Sequence, residues 1–251
     1  MAHQKSIITL QGTLGNITFM KTKDGYLARE KGGISKERMA TDPAFQRTRE
    51  NGAEFGRAGK GGKLLRSSIR GLLQNAADSK MVSRLTREFV KVIQADEINP
   101  RGLRNVIDGE AELLEGFDFN INGKLGTTMY APFTPTIDRV AGQLMITIPS
   151  FIASNMIKAP AGATHFCFTS AGIEVDFEQE LYVVQTQLSA QLPWNSIATS
   201  VITLTNAVTA NSTHPLFLAL GIEFYQEVNG IKYPLKNGSF NALSLVKING
   251  L

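Results

Sequence analysis

The chain has 251 residues, 43% of them hydrophobic and 19% charged. That is enough apolar content to bury roughly three quarters of the unfolded surface in one large domain or two small ones. A charged share below the roughly 25% of an average soluble domain, with abundant Gly, Thr, Ser and Asn, points to a strand- and turn-rich fold. The net charge of +4 conceals an asymmetry, because residues 1–104 carry 20 Lys and Arg against 10 Asp and Glu, whereas residues 105–251 carry 6 against 12. The two ends of the chain should attract each other, within one molecule or between neighbours.

Cys167 is the only cysteine, which rules out internal disulfides and a cysteine-built zinc cluster. The opening MAHQKSIITLQG has no apolar stretch of the kind a secretory signal needs, so cytoplasmic synthesis is expected, and incorporation into a released particle is compatible with it. Leu181 to Ile222 is an uncharged run of 42 residues. Its many Gln, Asn, Thr and Ser, with Pro193 and Pro215, make it a set of weakly polar strands and not a membrane insertion.

Residues 1–34 read as a β-hairpin or meander forming an N-terminal arm. "SIITL", "NITFMK" and "GYLARE" are β-prone, and they are separated by "QGTLG" and by the tight-turn pair Asp24-Gly25. Such a ribbon has little core of its own and must lie on something else.

Residues 35–116 form the central helical region. Asp42 is placed to cap a first helix with Pro43 at its first position. In "GRAGKGGKLL" (56–65) the expectation is a break near Gly61-Gly62, since four glycines in one unbroken helix would cost about 4 kcal/mol relative to alanine. In the helix that follows, Leu65, Ile69, Leu72, Leu73 and Ala76 share one apolar face. A third helix, "SKMVSRLTREFVKVIQ", puts Val82, Leu85, Phe89 and Val92 at helical spacing, with Ser79 as its cap.

Residues 117–251 alternate with period two. "ATHFCFTS", "GIEVDFEQ", "LYVVQTQL", "SVITLTNA", "LFLALGIEFYQEV" and "FNALSLVKI" are strand candidates, and Asn229-Gly230 and Asn237-Gly238 are hairpin turns. The fold class is therefore α+β, with a C-terminal antiparallel β-sandwich.

Chemical motifs are sparse. Gly56 to Gly61 has the interval of a Walker-type loop, but Gly62 stands where the lysine belongs and Leu64 follows Lys63, so phosphate chemistry is not expected. His165 and Cys167 share a strand face with no acidic orienter nearby, and packing accounts for them better than catalysis. Three scattered histidines make no zinc site, and no cofactor is called for. Glu110, Glu112 and Glu115 suit a short exposed helix, and Trp194 an anchor in packing.

Two charged sets stand out. Lys63, Arg66 and Arg70 lie on one side of the second helix, and Lys60 stands in the glycine-rich joint before it. Glu174, Asp176, Glu178 and Glu180 fall on one face of an expected strand, opposite an expected core face of Ile173, Val175, Phe177, Leu181 and Val183. Same-face neighbours on a strand sit about 6.5–7 Å apart, so the four carboxylates need solvent, a cation or a basic surface to compensate them.

"GTLGNITFMKTKDGYLAREK", "DPAFQRTRENGAEFG" and "GIEFYQEVNGIKYPLKNGSFNALSLVKI" together resemble uncharacterised bacterial proteins of the Bacteroidota. In those proteins a glycine-rich hairpin precedes basic helices and a β-rich C-terminal domain. The resemblance spans most of the chain and implies that order of parts; it brings no activity, cofactor or site residue.

The expectation is thus a non-enzymatic structural protein that assembles with copies of itself, as the subunit of a phage-like particle, tube or filament. In that scheme apolar strand and ribbon surfaces supply most of the contact free energy, while the basic set Lys60, Lys63, Arg66 and Arg70 meets the acidic set Glu174, Asp176, Glu178 and Glu180 across copies and fixes register. The alternative is a nucleic-acid or polyanion binder that uses the basic helical region.

Overall fold

The computed structural model describes residues 2–3, 9–23, 25–30 and 33–250, without the side chains of Ala2, Lys236 and Asn237. The expected turn at Asp24-Gly25 and the first three residues of "SIITL" lie outside that set. The chain divides into two units, 1–49 and 50–251.

The first unit is a four-stranded antiparallel sheet of β1 (Ala2–His3), β2 (Gly12–Leu14), β3 (Ile17–Thr22) and β4 (Gly25–Glu30), in the order β1-β4-β3-β2. The stretch "QGTLG", expected as a turn, instead contains β2. The reversal falls at Gly15-Asn16, where Gly15 takes a φ of 57° that other residues resist. A short helix, α1 (Lys36–Thr41), begins at Ser35, whose hydroxyl accepts from Arg38 N at 3.1 Å. Asp42 follows; its carboxylate accepts from Ala44 N at 2.9 Å and opens a 3₁₀ turn at Pro43–Phe45. No described residue before Glu54 is buried.

The 3₁₀ turn runs on into α2 (Gln46–Ser68), one helix of 23 residues. The break expected near Gly61-Gly62 is not there, and the reason is packing. Gly61 and Gly62 are buried against α4 (Met81–Gln94), where a Cβ on Gly61 would stand 3.0 Å from the Phe89 ring. These glycines let two helices approach, and burial of Ala58, Leu65 and Phe89 between them offsets the propensity cost. The chain bends later, at Ile69 (φ −107°, ψ 25°), before a single turn α3 (Arg70–Leu73). Leu65, Ile69 and Ala76 are buried as their spacing implies, with Leu72 and Leu73 packed beside them.

In α4, Met81, Leu85, Phe89, Val92 and Ile93 are buried, whereas Val82, expected on this face, is exposed. Asp78 holds the helix start in place of Ser79, accepting from Lys80 N at 2.7 Å and from Arg84 at 2.5 Å.

The rest of the second unit is antiparallel sheet. β5 (Thr134–Asp138), β6 (Gln143–Ile148) and β10 (Ile202–Ala207) form a three-stranded sheet in the order β10-β6-β5. A larger, curled sheet runs β12-β11-β7-β8, from β7 (His165–Asp176), β8 (Leu181–Leu188), β11 (Leu216–Val228) and β12 (Ile231–Pro234). Here β9 (Leu192–Pro193) also pairs with β7, and β13 (Ala242–Asn249) pairs with β11. A register shift at Leu218/Ala219 bends the β11–β13 ladder.

Asn229-Gly230 is a hairpin turn, with both residues at positive φ and Val228 opposite Ile231. Asn237-Gly238 is not: Leu235–Gly238 forms a 3₁₀ turn that carries the chain from β12 to β13, both of which pair with β11. "ATHFCFTS" and the start of "GIEVDFEQ" merge into the single strand β7.

The central strands β7 and β11 of the large sheet are covered on both faces. Ala171, Ile173, Val175, Phe217 and Ala219 share a core with α2 and α4, while Phe166, Phe168, Leu218, Leu220 and Ile222 share another with β6 and β10. Two faces explain why the apolar parity of β7 switches between Phe168 and Ala171. The chain is therefore α+β with mostly antiparallel strands.

The glycines of α2 give a test with opposite signs. Gly56 has open space around its missing Cβ, so Gly56→Ala should raise stability by about 1 kcal/mol. Gly61→Leu should lower it by about 1–3 kcal/mol, through overpacking against Phe89. Urea unfolding followed by circular dichroism measures both.

Candidate assembly surface

The strand expected to present four carboxylates ends at Asp176, so no straight row forms. Residues 177–180 are the turn between β7 and β8. Asp176 shapes that turn, its Oδ1 accepting from the backbone N–H of Glu178 at 2.9 Å and of Gln179 at 3.0 Å. Glu180 sits at φ 56°, the left-handed position that lets the chain re-enter β8 opposite Asp176.

Glu174 is buried, 5% exposed, between the large sheet and the loop after β10. Burial pushes its carboxyl up, but Ser212 Oγ at 2.6 Å and Thr209 N at 3.1 Å donate to it, and together they hold it below the usual carboxylate range. Asp176 has His214 Nε2 at 3.9 Å. Of the acidic set, then, Glu174 is satisfied inside its own fold and cannot meet another copy, and Glu178 and Glu180 belong to a turn.

The basic set is closer to expectation. Lys60, Lys63 and Arg70 are exposed, and Arg66 is half-buried, its Nε donating to Gly62 O at 3.1 Å. The two sets meet at one point, where Lys60 Nζ lies 3.7 Å from Glu180 Oε1, both exposed. A pair of that kind contributes about 0–1 kcal/mol. Beside it is an open cleft of about 240 Å³, lined by Arg57, Lys60, Gly61, Leu64, Phe177 and Glu180, among others.

The surface that sequence reasoning missed is β8 itself. Leu181 and Val183, expected in the core, are 60% and 47% exposed, and Tyr182 and Leu188 are 43% and 63% exposed. β8 is the outer strand of its sheet and contains no charged residue and no proline. Alternation correctly marked a strand there but could not tell whether anything covers its outer side. The signal available was the absence of charge, because natural edge strands are usually blunted by Lys, Pro or a bulge.

Reactive groups are tied into the fold. Cys167 is 2% exposed, and burial together with the Glu223 carboxylate pushes its thiol up to about 11, so it is not a thiolate at neutral pH. His165 hydrogen-bonds Thr164 Oγ1 through Nδ1 at 3.0 Å and has Glu227 at 3.4 Å from Nε2. Trp194 donates from Nε1 to Ile157 O at 3.0 Å, and Glu112 and Glu115 accept from the backbone of Gly250 and Ile248. Among the described residues, no group of three or more His, Cys, Asp and Glu could hold a metal, and no helix is long and apolar enough to cross a membrane.

No family model matches the chain, and no curated protein matches it. A solved structure concerned with pH-induced modulation of Streptococcus parasanguinis adhesion by Fap1 fimbriae is 12% identical and covers 45% of this chain and 78% of its own, with a TM-score of 0.22. A likeness that slight assigns neither fold nor function.

Glu174 makes stability depend on acid. A carboxylate held below its unfolded value contributes fully above about pH 4.3, and the contribution is lost as pH falls through the folded value. Asp78 and Asp96 are lowered in the same sense, their hydrogen bonds outweighing the burial that pushes them up. Urea midpoints should therefore drop below about pH 4. Glu174→Gln should lower stability at neutral pH by about 1–3 kcal/mol and flatten part of the acid slope. Cys167 should resist iodoacetamide at about pH 8 until the chain unfolds, a rate readable by mass spectrometry.

Proposed function

We propose that this chain is a non-enzymatic structural protein that assembles with copies of itself, as the building unit of a tube, filament or phage-like particle. The observation that carries the reading is the uncharged outer strand β8, with Leu181, Tyr182, Val183 and Leu188 exposed on one monomer. An outer strand presents unpaired main-chain donors and acceptors as well as side chains, so it is a template for another strand. The two sheets, read as a sandwich-type scaffold backed by helices, hold that edge rigid. The burial of Cys167 and the full engagement of Glu174 favour a structural role over a reactive one.

A second reading is supported by the outer side of α2. Gly52, Gly56 and Gly59 there leave open space where a Cβ would stand, Lys63 and Arg66 continue the same side, and Arg70 follows in α3 beyond the bend at Ile69. A phosphate backbone could approach such a surface closely. Retention of nucleic acid after gentle purification, lost with rising salt and with Lys63→Ala and Arg70→Ala, would favour it over self-assembly.

Self-assembly is tested by size-exclusion chromatography with light scattering over a concentration series. A chain that stays monomeric at every concentration sinks the proposal. Val183→Lys should weaken association by about tenfold or more, since a lysine on an outer strand opposes strand addition. Because Val183 is exposed, the monomer's stability should shift by no more than about 0.5 kcal/mol.

A further inference from the structure

A second cleft, of about 460 Å³, opens on the second unit. It is lined by Asn122, Thr127 and Thr128 at the single turn α5 (Leu125–Thr128), by the segment 158–161 that leads to β7, and by Phe240 before β13. That volume falls within the roughly 300–1,000 Å³ of small-ligand sites. Hydrogen bonds to the main chain fix its walls. Lys158 N donates to Thr128 O at 2.9 Å, and the buried Asn120 donates from Nδ2 to Ser239 O at 3.1 Å and to Asn241 O at 2.8 Å, while its Oδ1 accepts from Asn122 N at 3.0 Å. One amide thus joins the Asn122 wall to the Phe240 wall, so the cleft is formed before any ligand arrives.

Its polar groups are unspent. Thr128 is only 7% exposed, yet its hydroxyl has no partner among the described residues, and neither has the Asn122 amide nor the Lys158 amine. A hydroxyl left unpaired on a residue so deeply set is completed by water or by a ligand. Lys158 is the one charged side chain in the lining, which contains no carboxylate. An ammonium offers three donors, a primary amide two and each hydroxyl one, against acceptors on Asn122 and the hydroxyls alone. Donor excess with a single positive charge matches a ligand that carries one carboxylate and several further oxygens. The exposed Phe240 ring, with Pro160 in the same lining, adds an apolar surface, and the C–H face of a pyranose is its counterpart. A phosphate dianion calls for an arginine fork or a second cation, which this lining lacks.

We propose that this cleft binds an acidic sugar residue, a hexuronate, with its carboxylate on Lys158, a ring hydroxyl on Thr128 and its C–H face against Phe240. The site lies within residues 120–241 of one copy, so it goes beyond the assembly reading and stands whether or not copies associate.

The test is titration of the full chain with methyl β-D-glucuronide, methyl β-D-galacturonide and the neutral methyl β-D-glucoside, followed by isothermal calorimetry and saturation-transfer NMR. At least one uronide is expected to bind about tenfold or more tightly than the glucoside, the difference that one charge-assisted hydrogen bond makes. Lys158 is exposed, and Lys158→Met should abolish that preference without disturbing the fold. Thr128→Val keeps the shape and removes the hydroxyl, so uronide binding should weaken about three- to tenfold. Circular dichroism checks that both variants are folded. Absence of binding by both uronides, equal binding of uronide and glucoside, a preference that survives Lys158→Met, or unchanged uronide binding by folded Thr128→Val overturns the proposal. Acetate that binds as tightly as the uronides overturns it too, since the sugar ring would then contribute nothing.

Discussion

Burial of β7 and β11 on both faces is the constraint on which the second unit depends. The two strands pair without interruption from Leu216 opposite Glu174 to Tyr225 opposite His165, and apolar layers lie above and below them. A strand in that position has no solvent side on which to keep a polar group, so each one that occurs must be answered from a neighbouring layer. Glu174 is answered by Ser212 and Thr209, and Ser170 by Asn206 Nδ2 at 2.8 Å. The close approach of layers also explains Gly172, where a Cβ would meet Asn206 Cβ at 2.7 Å. Arg139 closes the far end with its whole guanidinium, donating to Ser212 O, His214 O, Asn249 and Gly250 O. These bonds tie the chain's last strand to the loops that hold Glu174.

The strands and helices whose own chemistry marks them were legible from residue order. β8 and β11 begin and end where alternation and turn residues place them, and α4 follows its 3.6-residue period. The Asn229-Gly230 turn follows from the positive φ that both residues tolerate. What residue order could not supply was the identity of the neighbour. Gly61 and Gly62 are compatible with a bend or with a close helix contact, and only Phe89 of α4 decides between them. β6 was overlooked, although Leu144, Ile146 and Ile148 alternate cleanly and are buried. The acidic row dissolved because pairing with β8 forces the chain to turn at Phe177, a decision made by tertiary contacts and not by the alternating carboxylates themselves.

The candidate surface was legible in its ingredients and misassigned in its geometry. Residue order assigned most of the contact free energy to apolar strand and ribbon surfaces and left the opposed charges to fix register. Inside one molecule, however, the basic and acidic sets touch only through the exposed Lys60–Glu180 pair, a contact too weak to hold copies together. At a Debye length of about 8 Å, charges spread over two halves of a chain steer approach and orientation better than they bind. In the assembly proposed above, cohesion would come from groups that lose water on contact, and the uncharged outer strand offers such groups.

The first unit sharpens the same point. Ordering a residue's backbone costs about 1–2 kcal/mol, a loss that buried side chains normally offset. Residues 1–49 have no buried side chain among those described, and their side-chain contacts are local, among them the Ser35 and Asp42 caps, the Arg38–Asp42 pair at 3.0 Å, and Arg49 donating to Met39 O and Asp42 O. These bonds are local and largely exposed to solvent, so they give the sheet no apolar core of its own. Under the self-assembly proposed above, cover for that sheet would come with association, and its stability would then rise with protein concentration while that of the doubly covered strands β7 and β11 would not.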